Sequence, residues 1–331
     1  MMMLSSACSR HAEQLLELHG STMGTTYSVK IPSLPDGVTP RTLARLIEQD
    51  LVRVNHLMST YQPDSELSRF NAHQSTDWLD VSSELMQVVA QAQTVSEMSG
   101  GAFDVTIGPV VNLWGFGPEV TEARIPDTRS IDNARSRIGH RMLEYRASPA
   151  ALRKARPDLY VDLSAIAKGY GVDRVAATLD GNGIDAYLVE IGGEVRARGT
   201  KQQGKPWHVA IERPDPLSRS VYRVVRLNDA AMATSGDYRN FFEVGGRFYS
   251  HTIDPKSGRP VEHHLASVTV LGDTCTAADA LATSLLVLGP ERGYALAESH
   301  EIAAFFVIRT VEGYDHKATP AFDRATVDAE E

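Results

Sequence analysis

Five short runs rich in β-branched and aromatic residues punctuate the chain: "TTYSVKI" at 25–31, "DAYLVEIGGEVRARG" at 185–199, "WHVAIERP" at 207–214, "RFYSHTID" at 247–254 and "LASVTVLG" at 265–272. Each is bounded by Gly, Pro, Asn or Asp, the punctuation expected between paired antiparallel strands. They alternate with segments of helical period. Thr39 and Pro40 form an N-cap and first helical residue, followed by Leu43, Leu46, Ile47, Leu51, Val54 and Leu57 at helical spacing. A second helix opens near Ser82, carries Leu85, Val88, Val89, Ala92 and Val95 along one side, and stops at Gly100 and Gly101. The Ala/Leu-rich run from Thr276 to Leu288 predicts a third, with Gly289 and Pro290 after its end. The implied class is α+β.

At 331 residues the chain can form one large unit or two. Its Pro- and Gly-rich stretches are short and scattered, so they read as loops and not as an interdomain linker. A formal net charge of -9 argues against broad binding of nucleic acid, which needs lysine and arginine to neutralise phosphates. The first ten residues, "MMMLSSACSR", end like a bacterial lipoprotein signal with Cys8 as the lipidated residue, though the charged start and full apolar stretch of a secretory signal are missing. The expectation is a truncated signal; a frayed tail is the plainer alternative. With Cys8 so used, Cys275 is left as a lone buried thiol.

Three segments carry chemistry. "YVDLSAIAKGYG" at 160–171 reads as a strand ending at Leu163, a turn at Ser164 and Ala165, and a helix from Ala167 to Leu179. A helix N-terminus beside a lysine and small residues suits an anion, yet the pattern matches neither a Rossmann turn nor a P-loop, and on this motif alone an ordinary strand-to-helix crossover is the better reading. In "TCTAADALATSLLVLG", Asp279 and Thr283 lie four apart on one helix face, a partial oxygen shell for a hard cation such as Mg²⁺. The alternative is that Asp279 caps a neighbouring element. In "YSHTIDPKSGRPV", His251 stands near a loop with Asp254 at its turn, able to move a proton near neutral pH.

Taken together, these motifs and "GSTMGTTYSVKI", "MSTYQPDSELSRFN", "SGGAFDVTIGPVVNLWGFG", "EIGGEVRARG" and "ATSGDYRNFF" resemble the ApbE-type FAD:protein FMN transferases over roughly residues 20–290. The resemblance implies an α+β fold related to T-fold enzymes, with antiparallel sheets and packed helices. It also implies cleavage of FAD at its pyrophosphate and attachment of FMN through a phosphoester to a threonine or serine of a partner. The implied acceptors are flavoprotein subunits of Nqr- and Rnf-type or related respiratory complexes, met at the periplasmic face of the inner membrane of a Gram-negative bacterium by a lipid-anchored enzyme.

Carried over by motif, Asp279, Thr283 and the Ala165 carbonyl would bind Mg²⁺. Met23, Tyr61, Ala102, Phe103 and Asp104 would enclose FAD, with Lys168 at its phosphates. Gly192, Gly193, Glu194, Ser235, Gly236 and Asp237 would line the same cavity. His251 would be the base, supported by Asp254, with Asp162 as its competitor. The expected organisation is a signal and linker over 1–19, one domain over 20–312 divisible at most into two subdomains, and a disordered tail over 313–331. An FAD pyrophosphatase and a non-catalytic flavin-binding lipoprotein are the alternative functions.

Overall fold

Eight strands form one antiparallel sheet in which chain order and spatial order coincide: Leu16–Thr22, Thr25–Ile31, Tyr187–Ile191, Glu194–Arg198, Ala231–Gly236, Leu265–Gly272, Ala303–Thr310 and Gly313–Ala318. The computed structural model describes residues 15–118, 125–215, 220–238 and 241–326; Cys8 and the expected signal lie outside them. Side chains alternate across the sheet as the two-residue period requires. Ala304 and Phe306 enter one core and Phe305 and Val307 the opposite one. The strand Leu265–Gly272 is buried on both faces, which explains its unbroken apolar sequence.

Helices α1 (Pro40–Met58), α6 (Ala167–Gly181) and α7 (Cys275–Ser299) cover one face of the sheet. Outside them lies a further layer, made of α2 (Glu66–Ala72), α3 (Ser83–Met98) and a small sheet of Leu79–Asp80, Leu143–Ala147 and Ala150–Lys154. The opposite face of the main sheet packs on the hairpin Trp207–Glu212 with Val221–Leu227 and on α8 (Pro320–Thr326). A separate cluster joins α4 (Gly108–Leu113) and α5 (Thr128–Arg135) to the hairpin Phe241–Val244 with Arg247–Ser250. No helix among the described residues is long and apolar enough to cross a membrane.

Several expectations are corrected. The ordered fold begins by Leu16, inside the stretch expected as linker. The stretch from 313, expected to be disordered, contributes the edge strand Gly313–Ala318 and α8; Phe322 is fully buried. The run 185–199 is not one strand but a hairpin, its turn formed by Gly192 and Gly193 at φ of +62° and +108°. "RFYSHTID" is likewise broken at His251 and Thr252. α7 continues past Leu288, with non-helical geometry confined to Gly289 (φ 81°), because Pro290 can start a helical turn but cannot donate within one.

Candidate active site

Two helices begin beside each other and cap one another. The residue preceding α6 is Ile166, whose side chain offers no cap. In its place Asp279 of α7 accepts a hydrogen bond from the Gly169 N–H in the first turn of α6 at 3.0 Å. In return Asp173 of α6 accepts from the N–H groups of Cys275 (3.0 Å) and Thr276 (2.8 Å) and from the Thr276 hydroxyl (2.6 Å), at the start of α7. Each carboxylate thus satisfies amides that a helix leaves unpaired and sits at the positive end of the other helix's dipole. Glycine is required at 169: a Cβ there would collide with the Cys275 carbonyl and stand 2.9 Å from the Asp279 Cβ.

Through this arrangement Asp279 is capping and buried at once, at 3% exposure. The Gly169 N–H, which in a longer helix would bond back to the Ala165 carbonyl, is taken by Asp279 instead. One turn along α7, the Thr283 hydroxyl pairs with the Ser235 hydroxyl at 3.0 Å. Lys168 enters the same pocket and pairs with Glu194 at 2.6 Å. Gly192 lets this happen: a Cβ at that turn would press on Thr25 Cγ2 and on the Lys168 stem. Burial pushes the carboxyl pKa values of Glu194 and Asp279 upward, and the charge of Asp279 adds to the shift of Glu194. Burial alone would lower Lys168, but the two carboxylates outweigh it and raise its pKa.

The cluster therefore holds two buried carboxylates against one ammonium, and Glu194 Oε2 is buried with no hydrogen-bond partner. Both features fit a site completed by a cation. Among the described residues no group of three or more His, Cys, Asp or Glu side chains is placed to hold a metal. The donors that the resemblance assigns, the Asp279 carboxylate, the Thr283 hydroxyl and the Ala165 carbonyl, would make an all-oxygen set of the kind that Mg²⁺ takes, with water and phosphate filling the rest.

The remaining expected site residues occupy distinct positions. Met23 adopts a positive φ of 48° and packs between the two helical cores, its Cε against Gly171. Tyr61 is 68% exposed and lies near Asp162; partial burial and then that charge raise its pKa. Asp162 Oδ1 accepts from the Ser164 N–H and hydroxyl at 2.8 and 2.5 Å, shaping the turn before α6. Ala102 and Phe103 are buried, and Asp104 accepts from the Thr106 N–H and hydroxyl and the His140 N–H. The Phe103 and Asp104 side chains thus brace the protein interior, and burial raises the Asp104 pKa. Asp237 is committed to a two-pronged ion pair with Arg309. Asp254 accepts from the Lys256 N–H at 2.9 Å, and its strand Ile253–Asp254 packs against α7. His251 is partly buried, with the Phe116 ring meeting it edge-on at 6.3 Å.

The geometry thus gathers Lys168, Gly192, Glu194 and Asp279 at the N-terminus of α6 and couples Thr283 to Ser235, whereas Asp104, Asp162, Asp237 and Asp254 each serve local partners. The family model for the ApbE family matches residues 23–306, which include every one of these. The chain belongs to the ApbE family. It is 46% identical over 321 residues to the FAD:protein FMN transferase of Vibrio cholerae, covering 97% of this chain and 95% of that protein. With the FAD:protein FMN transferase of Escherichia coli K12 it shares 38% identity over 314 residues, 94% of this chain and 89% of that one. The solved structure of flavin transferase ApbE from Vibrio cholerae superposes with a TM-score of 0.87 at 45% identity, covering 94% of this chain and 99% of that one. The apo form of the Pseudomonas stutzeri flavinyl transferase ApbE gives 0.87 at 42%, covering 95% and 97%.

Three supporting residues of this ApbE chain escaped the sequence reading. Asp173 supplies the return cap and also pairs with Arg196 at 2.6 Å. Asn71 brackets Val161, donating to its carbonyl and accepting from its N–H, both at 2.8 Å, so a side chain takes the place of a neighbouring strand. Lys154 is 1% exposed and donates to the carbonyls of Asn71 and His73. The only advance signal was their position inside matched motifs or next to apolar runs.

Proposed function

We propose that this protein transfers the FMN half of FAD to a threonine or serine hydroxyl of a partner flavoprotein, releasing AMP. The observation that carries the reading is the cluster at the N-terminus of α6 in which half-buried Lys168 meets the buried Glu194 and Asp279 carboxyls. Lys168 is suited to hold the pyrophosphate, since its ammonium favours anionic oxygen. Asp279, Thr283 and the Ala165 carbonyl would hold Mg²⁺, which when bound neutralises phosphate charge and eases departure of AMP. His251 takes the proton from the acceptor hydroxyl as its oxygen bonds to the FMN phosphorus and the phosphoanhydride bond to AMP breaks. The Asp162 Oδ1 already accepts two hydrogen bonds from Ser164, which commits it to shaping the turn before α6. Tyr61, exposed at the rim, is available to lie against a ring of FAD.

Flavoprotein subunits of Nqr- and Rnf-type respiratory complexes are the proposed acceptors, reached at the periplasmic face of the inner membrane by an enzyme anchored through lipid on Cys8. Membrane fractionation of wild type and Cys8→Ser tests the anchor: release of the variant alone supports it, and identical partitioning contradicts it. The metal assignment is tested with Asp279→Ala. Loss of Mg²⁺-dependent AMP release from a folded variant is expected, and wild-type rates would overturn the assignment.

A further inference from the structure

The hairpin Phe241–Val244 with Arg247–Ser250 has two unlike faces. Its register places Phe242 opposite Tyr249 on one face, and these rings stack on each other at 5.3 Å. They also stack on Trp114 and Phe116, with Phe242 to Phe116 at 5.3 Å and Tyr249 to Trp114 at 5.8 Å. The other face carries Phe241 and Phe248, which meet edge-to-face at 5.2 Å and are 38% and 63% exposed. The chain has nine phenylalanines, all among the described residues, and only these two are exposed. Exposed apolar side chains such as Val52, Tyr145 and Val311 lie elsewhere, on α1, on the strand Leu143–Ala147 and in the turn after Thr310. Isolated exposed apolar residues need no explanation, but a paired aromatic patch on an anchored hairpin does.

We propose that Phe241 and Phe248 form the docking point for the acceptor flavoprotein, receiving an apolar side chain close to its acceptor hydroxyl. This rests on the transferase reading, in which a whole protein must present that hydroxyl at His251. The strand Arg247–Ser250 runs directly into His251, three residues beyond Phe248, or about 10 Å of extended chain. Phe241 and Phe248 thus lie on the hairpin that leads into His251, where a partner presenting an oxygen to that residue would meet them. The hairpin is braced from behind by Trp114 and Phe116, and the Phe116 ring also meets His251, so patch and base share one aromatic support. Aromatic residues, phenylalanine among them, are enriched where proteins meet.

The test compares wild type with the double variant Phe241→Ser, Phe248→Ser, using the purified flavin-free flavoprotein subunit of an Nqr-type complex as acceptor. Flavinylation is followed against acceptor concentration, and FAD affinity is measured in parallel to report an intact fold and cofactor site. A tenfold or greater rise in KM for the acceptor, with kcat within about twofold and FAD affinity unchanged, is expected. Replacement by Leu at both positions should restore most of the loss. An acceptor KM equal to wild type overturns the docking assignment while leaving transfer standing. An absence of adduct with wild type overturns the transfer reading itself, and a fall in FAD affinity shows that the hairpin serves the cofactor site and not the partner.

Discussion

At the scale of single residues, the site turns on side chains that do two things at once. Asp279 caps α6 through one carboxylate oxygen and is the only charged donor in the proposed metal set. Sequence spacing placed Asp279 and Thr283 on one helix face, and it offered capping and cation binding as alternatives. The fold shows the capping, through one carboxylate oxygen, at the start of the helix that follows Ala165. Lys168 and Glu194, by contrast, are 26 residues apart, and no local pattern announces that their side chains meet at 2.6 Å. His251→Ala should abolish the adduct on the acceptor by two orders of magnitude or more while FAD affinity in a fluorescence titration stays within about twofold. Loss of FAD binding would make His251 a binding residue instead. Tyr61→Ala should weaken FAD binding about tenfold, as expected for a lost ring contact of ~1–1.5 kcal/mol; an unchanged titration would remove Tyr61 from the site.

At the scale of elements, the reciprocal capping of α6 and α7 sets the geometry of the cluster. Gly169→Ala should push the two helices apart, costing about 1–3 kcal/mol in urea unfolding and lowering Mg²⁺ affinity together with it. Wild-type stability and Mg²⁺ affinity in that variant would show that the close approach is dispensable. The turn before α6 is held from the other side by Asn71 and, behind it, by Lys154. Burial lowers Lys154 to about 8, with only a modest opposing effect of Asp158. The folded protein thus binds this proton less tightly than the unfolded chain. Between pH of about 8 and the ordinary lysine value, unfolding takes up a proton, so stability rises with pH in that window and the contribution is flat below it. Lys154→Met should remove a slope of up to roughly 1.4 kcal/mol per pH unit from alkaline denaturation curves, and identical slopes would contradict the assignment.

Helices with a clear apolar period were legible from sequence, α1 and α3 above all. Elements held by other means were not. "VDL" at 161–163 looks like a strand yet pairs with the Asn71 side chain and the Val105 carbonyl, not with a sheet. Gly313–Ala318 is polar and lies at the sheet edge, so alternation could not reveal it, and it was expected as part of a tail. Ala303–Thr310 is a short apolar run whose period alone does not separate strand from helix.

For the whole molecule, an eight-stranded antiparallel sheet with α1, α6 and α7 on one face brings the starts of α6 and α7, more than 100 residues apart in sequence, to a single point. The ordered series of motifs made the family legible before the structure, and the family match over residues 23–306 agrees with it. What the motifs could not supply was the wiring: which carboxylates cap, which pair with arginine, and which remain buried beside Lys168. The central claim is that this wiring serves transfer of FMN to a protein. It is tested most directly by mass spectrometry of the flavin-free acceptor subunit incubated with this protein, FAD and Mg²⁺, with AMP followed in the same tube. The account predicts an FMN adduct on a threonine or serine, dependent on Mg²⁺ and accompanied by one AMP for each adduct; AMP and free FMN without an adduct would contradict it.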